Sequence, residues 1–190
     1  MGRKTQITKE AILDAALNLL IREGYASVNI KALAAEVGCS TQPIVWHFEN
    51  MQGFRKAFLA HCIAYTKKQF TVWNDSLDEM LIYTALHYIA VARSTPHLFR
   101  FVYADNKEEC KNSEIIAALQ LDNTKRMMEL LRREKGLSEA QATAFLMDYE
   151  FYIHGIASYT ASGFCNYTEE EVIRMVNKAK DAFLASAVKN

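Results

Sequence analysis

The chain has 190 residues, 51% of them hydrophobic, with seven Gly and two Pro, and its 22 Lys and Arg balance 22 Asp and Glu to a formal net charge of zero. The apolar content excludes a disordered chain, and the Gly and Pro counts exclude a collagen-like or linker-rich one. Zero net charge gives no bulk attraction for a polyanion, but binding follows local charge, so the balance has to be resolved along the chain.

The sequence reads as helix after helix, with short polar breaks and no sustained alternation of strand type. A first helix is expected from about Thr8 to Glu23: Thr8 can cap it, Glu10 suits the positive end of its dipole, and Gly24 can stop it. Leu13, Leu17 and Leu20 form its apolar stripe. A second runs from about Asn29, a cap candidate, to Val37, with Gly38 ending it; Ile30, Leu33, Ala34 and Val37 are its inner face. Ser40 is the cap candidate for a third helix over about Thr41 to Phe48, where Pro43 falls harmlessly in the first turn. Two short helices around a tight Gly-containing turn have the form of a helix-turn-helix.

A fourth helix is expected from near Asn50 to Phe70, its first turn weakened by Gly53. A fifth covers about Leu77 to Arg93 and a sixth about Pro96 to Tyr103; the charged stretch Asp105 to Asn112 reads as a loop. A seventh spans about Ser113 to Lys135 and ends at Gly136, and Ser138 caps an eighth that lasts to about Ser162. Thr168 with Glu171 at N3 makes a capping box for the ninth. The expectation is an all-α chain of about nine helices, divided into a head over residues 1–50 and a helical body over 51–190.

The four cysteines are scattered with no C-x-x-C pair, which speaks against a zinc knuckle and for reduced thiols. The N-terminal residues lack an apolar core of secretory type and the myristoylation pattern, so a cytoplasmic protein is expected and the sequons at Asn74 and Asn166 are chance matches. Phe151 to Thr168 carries no Asp, Glu, Lys or Arg, but it holds His154, Asn166 and two Gly and lacks basic flanks. It reads as a buried helix rather than a membrane span.

Ile12-Leu13-Asp14-Ala15-Ala16, Gly24-Tyr25, Ile30-Lys31-Ala32-Leu33-Ala34, Val37-Gly38-Cys39-Ser40 and His47-Phe48 stand in an order and spacing that resemble the N-terminal signature of the TetR family of bacterial transcriptional regulators. Each block is weak alone; together they are specific, and they lie in about the first 60 residues. The resemblance implies a homodimer that presents its third helix to the DNA major groove. It also implies a body that dimerises and holds a ligand pocket, with a small-molecule effector changing the separation of the two heads and releasing the operator. A repressor of this kind, without catalysis, cofactor or metal, is the functional expectation, with a palindromic double-stranded operator as partner.

The DNA-binding candidates are Arg3, Lys4, Asn29, Lys31, Thr41, Gln42, Pro43, Trp46 and His47. A helix-turn-helix enters the groove with the N-terminus of its second helix. Gln42 suits adenine, Thr41 a base or phosphate, and the Pro43 ring a thymine methyl. Arg3 and Lys4 suit phosphate or the minor groove, and Lys31 lies near the start of helix 2 where phosphate is also favoured. Val45, Trp46 and Met51 depart from the family pattern, which usually has Tyr, His or Tyr, and Lys there.

In the body, aromatic residues with polar tips suit a flat or amphipathic effector: Tyr83, His87, Phe99, Tyr103, Tyr152 and Tyr159. A hydrogen-bonded aromatic core is the competing reading for each of them. Helix 8 is apolar nearly all round from Phe145, and Tyr152-Ile153-His154-Gly155-Ile156-Ala157 is similar to helix 8 of some TetR subfamilies. A four-helix interface from helices 8 and 9 of two chains is expected, with Gly155, Ala157, Ala161, Val172, Val176 and Phe183 in it. The rivals are a helical-bundle enzyme and a protein-binding adaptor. The paired Glu-x-x-His of di-iron bundles, H-E-x-x-H, a Walker loop and G-x-S-x-G are all missing from the sequence.

Overall fold

The computed structural model describes residues 7–70, 74–105 and 122–188. Among these the chain is all-α: α1 (Lys9–Glu23), α2 (Ile30–Val37), α3 (Gln42–Phe48), α4 (Met51–Phe70), α5 (Leu77–Ser94), α6 (Pro96–Tyr103), α7 (Asp122–Lys135), α8 (Glu139–Ala161) and α9 (Glu169–Ala187), with a 3₁₀ turn over Tyr25–Ser27. The loop expected over Asp105 to Asn112 and the first residues expected of the seventh helix fall almost wholly outside the described residues. No described helix is long and apolar enough to cross a membrane.

The caps explain most boundaries. Thr8 Oγ1 accepts from the Ala11 N–H at 3.1 Å, and Asn29 Oδ1 from the Ala32 N–H at 3.1 Å. Full capping boxes start α8 (Ser138 with Gln141) and α9 (Thr168 with Glu171). The hydrogen bonds from Thr168 hold the Glu171 carboxyl below its ordinary pKa. Gly38 ends α2 in the left-handed conformation at φ 72°, a backbone that L side chains resist. The start of α3 differs from expectation: its cap position is Thr41, not Ser40, and no side chain caps it.

The chain divides by packing into two compact units: residues 1–66 with 97–116, and residues 67–96 with 117–190. The head and body boundary of the sequence reading is drawn by function, whereas the first packing unit also takes in most of α4 and α6. In that unit α1, α2 and α3 pack on one another over Ile12, Leu20 and Leu33. A chain of rings continues the core from α3 to α6: Phe48 meets Phe54 edge-on at 5.1 Å, Phe54 stacks on Phe58 at 5.4 Å, and Phe58 lies 5.2 Å from Phe101. Each fully buried Phe contributes about 2–3 kcal/mol relative to exposure. Arg22 of α1 ties the surface of α2 through a two-bond pair with Glu36 at 3.2 and 3.1 Å, and that guanidinium lowers the Glu36 pKa.

The second unit is a bundle in which α5 and α8 each pack against α7 and α9 and against each other. Leu77, Met80, Leu81 and Phe145 fill its interior. The Tyr149 hydroxyl donates to the Leu81 carbonyl at 2.7 Å, and burial raises its pKa. The Tyr88 hydroxyl lies 3.0 Å from His154 Nδ1 and joins α5 to α8; burial lowers the His154 pKa, which favours the neutral ring as acceptor.

Candidate nucleic-acid interface and effector groove

The junction of α2, the Gly38 turn and α3 sets the first site. Ile44 and Phe48, one helical turn apart, point inward and are buried. Thr41, Gln42, Val45 and Trp46 form the opposite face and are exposed. That face is amphipathic along its length: polar Thr41 and Gln42 at the N-terminal end, then Val45 at 47% and Trp46 at 71% exposure. Two large apolar side chains on a solvated face of a seven-residue helix add no core stability and indicate a partner. Pro43 is half-buried beside them, and Lys31 is exposed on α2.

His47 lies on the inner border. Its Nε2–H donates to the Ile7 carbonyl at 2.8 Å, and its ring meets the Trp46 ring edge-on at 4.8 Å. The expectation that His47 contacts DNA is therefore revised: its polar atom anchors the segment before α1 and its ring orients Trp46. Asn29 changes role in the same way. Both ends of its amide are engaged, by the Ala32 N–H at 3.1 Å and the Ser27 carbonyl at 3.2 Å, so it fixes the entry to α2. Arg3 and Lys4 lie outside the described residues.

The turn from α3 to α4 is tight. Glu49 has φ 61°, and its neighbour's amide, the Asn50 N–H, donates to the Phe48 carbonyl at 2.6 Å. Asn50 Oδ1 caps α4 by accepting from the Gly53 N–H at 2.8 Å. A Cβ on Gly53 would stand 2.5 Å from the Phe48 carbonyl oxygen. Gly53 is thus no mere weakness in the first turn; the backbone of α3 passes where a side chain would be.

In the second unit a groove of about 340 Å³ opens between α5 and the start of α9. Tyr83 and His87, both among the expected effector residues, do share its wall, with Leu86, Arg93, Glu169 and Val172. Phe99 and Tyr103 do not join them: they belong to the first unit and pack on each other at 5.0 Å. Tyr152 meets Phe183 edge-on at 6.1 Å, and Tyr159 meets Phe164 at 5.2 Å, so neither lines this groove. Arg93 and Glu169 were missed by reading for aromatic residues; each closes the groove from a helix end that the linear sequence does not bring together.

The outer face of α8 carries Met147, Phe151, Gly155 and Tyr159 at four-residue intervals, a ridge of i, i+4 type. Phe151 is 71% and the following Phe164 77% exposed. Gly155 sits mid-ridge, and nothing lies within 4 Å of where its Cβ would be. Three of the expected interface residues are elsewhere: Ala157, Val172 and Val176 are buried inside their own unit. The Val172 and Val176 stripe of α9 faces α5 and α8 of the same chain, which leaves Gly155, Ala161 and Phe183 of the expected set at or near the surface. Among the described residues no group of three His, Cys, Asp or Glu is placed to hold a metal ion.

The family model of bacterial regulatory proteins of the tetR family matches residues 12–58, from the start of α1 into α4. That stretch of the chain resembles the N-terminal segment of TetR-family regulators. Its head is 38% identical over 53 residues to YvkB, an uncharacterized HTH-type transcriptional regulator of Bacillus subtilis, a match that covers 28% of each chain. A second uncharacterized HTH-type regulator, from Mycobacterium tuberculosis, is 32% identical over 57 residues, covering 30% of this chain and 26% of that one. The alignment thus spans only about a quarter of these curated relatives. The fold likeness is longer. A TetR transcriptional regulator from Agrobacterium tumefaciens superposes with a TM-score of 0.65 at 19% identity, covering 93% of this chain and 92% of that one. TetR from Acinetobacter baumannii, in complex with minocycline, gives 0.60 at 18%, covering 95% and 96%. Over nearly the whole chain, then, the likeness to these two structures is one of fold, at under 20% identity.

Proposed function

We propose that the chain is a dimeric transcriptional regulator that represses from a palindromic operator and leaves it when a small molecule binds the body. The observation that carries this reading is the exposed face Thr41-Gln42-Val45-Trp46, on the second helix of a helix-turn-helix within a TetR-family head. In this reading residues 1–50 contact DNA and residues 51–190 sense and dimerise. Gln42 and Thr41 reach base edges, Pro43 and Trp46 supply apolar contact, and Arg3, Lys4 and Lys31 meet phosphate. The groove with Tyr83, His87 and Arg93 takes the effector; that a TetR structure holds minocycline supports an effector-binding body. The Met147-Phe151-Gly155-Tyr159 ridge of α8 supports a second copy as partner, because a ridge of this spacing packs into the matching groove of its symmetry mate. Catalysis has no part in it, and the cytoplasm is the compartment where it acts.

The test is binding of the full chain to duplex DNA from upstream of its own gene, followed by fluorescence anisotropy over a salt series. Nanomolar affinity that falls steeply with salt is expected. Absence of salt-sensitive binding to that DNA, or to any duplex enriched from a random pool, refutes the reading and leaves the protein-binding adaptor in its place.

A further inference from the structure

The recognition face splits into a polar end and a largely apolar end, whose one side-chain hydrogen-bonding group is the Trp46 indole N–H. Gln42 and Trp46 are four residues apart, as are Thr41 and Val45, so the two rows run parallel along α3. Four residues of helix rise about 6 Å. Stacked base pairs rise about 3.4 Å per step. Whatever Gln42 meets, Trp46 and Val45 therefore meet something one or two base steps away. The Trp46 indole is held for that contact, since His47 packs edge-on against it and is itself pinned to the Ile7 carbonyl.

In the major groove three base types offer polar edges only; thymine alone offers a methyl group. We infer that Trp46, with Val45, is a specificity-determining pair that reads the 5-methyl group of a thymine one or two steps from the base read by Gln42. The inference rests on the DNA-binding reading above. It deepens that reading by assigning part of the sequence preference to an apolar contact rather than to hydrogen bonds.

The test begins with duplexes enriched from a randomised pool on the full chain. The best sequence is resynthesised with deoxyuridine replacing thymidine one position at a time, which removes only the methyl group. For the unaltered protein, affinity is expected to fall about fourfold at one or two positions per half-site, the value of one buried methyl-sized group. For Trp46→Ala and Val45→Ala, both at exposed positions, the loss at those positions is expected to shrink toward onefold, with unchanged thermal unfolding. Trp46→Phe should keep most of the thymine preference. Tight binding that is indifferent to uracil at every position overturns the inference while the DNA-binding reading stands. A pool that never enriches overturns both. A uracil effect that persists unchanged in Trp46→Ala and Val45→Ala overturns the assignment to these residues.

Discussion

Gly53→Ala separates a steric requirement from a propensity effect, because the two have opposite signs. Gly53 is the third residue of α4, and alanine in a helix is ordinarily favoured over glycine by about 1 kcal/mol. Here the added Cβ would lie 2.5 Å from the Phe48 carbonyl oxygen, and real Cβ atoms essentially never come within 3.0 Å of such an atom. That carbonyl cannot swing aside freely. It accepts from the Asn50 N–H, and the Phe48 side chain is buried against Phe54. Overpacking of a constrained site costs about 1–3 kcal/mol; with a backbone atom as the obstacle the upper half applies, and after the propensity gain the net loss is about 1–2 kcal/mol. For a chain of this size that lowers the melting temperature by about 3–6 °C. Urea and thermal unfolding of the two proteins, followed by circular dichroism, measure it. DNA affinity should fall as well, since relief of the clash moves the end of α3. A melting temperature that rises in Gly53→Ala would refute the close approach and return Gly53 to the role of a weak first-turn residue.

Gly38→Ala is expected to lose about 1 kcal/mol from backbone strain alone, because φ is 72° while nothing lies within 4 Å of the new Cβ; Gly38→Asn should lose less, as read by urea unfolding. His154 has a lowered pKa when folded, so acidification through the ordinary histidine range protonates the unfolded chain before the folded one. Stability should therefore drop as the pH falls from 7 to 5, and the drop should be smaller in His154→Asn when melting temperatures are compared across that range. Phe151→Glu places a charge on the outer ridge of α8 and should halve the mass seen by light scattering at micromolar concentration, with the helical content kept.

Local features were legible in the sequence because their causes are local. Thr8, Asn29, Ser138 and Thr168 cap the helices assigned to them, since a cap needs only a side chain and an amide three residues on. The inner faces of α1 and α2 follow from periodicity, with Leu13, Leu17, Leu20, Leu33 and Ala34 buried. What could not be read was which of two apolar surfaces a helix turns inward. On α9 the stripe with Val172 and Val176 looked available for a partner, yet it is buried where α9 packs on α5 and α8. On α8, apolar nearly all round, the outer ridge is defined by what its neighbours leave uncovered. His47 was misjudged for a similar reason: the Ile7 carbonyl that engages it lies 40 residues away in sequence. Arg93 and Glu169 share a groove only because α5 and α9 meet, which no short-range pattern announces.

The balance of charge can now be placed. Residues 1–60 hold seven Lys and Arg against five Asp and Glu, a surplus of two that the rest of the chain cancels. Even these cations are not all available to phosphate. Arg22 is paired with Glu36 and Glu23, Lys9 lies over the Phe48 ring at 5.3 Å, and Arg55 lies over the Tyr25 ring at 5.3 Å. Lys31 and Lys56 are exposed, and Arg3 and Lys4 precede the first helix. In the proposed dimer on DNA, four cations per head bound the counterion-release slope at about −7 in log affinity against log salt. Exposed Glu10 and Glu49 reduce it further. In the proposed DNA complex, a head so limited in phosphate attraction would draw a larger share of its sequence preference from base edges, and on α3 the largest exposed group is the Trp46 indole. A slope well beyond −7 would mean that body residues also touch DNA, and the weight placed on the recognition face would then be wrong.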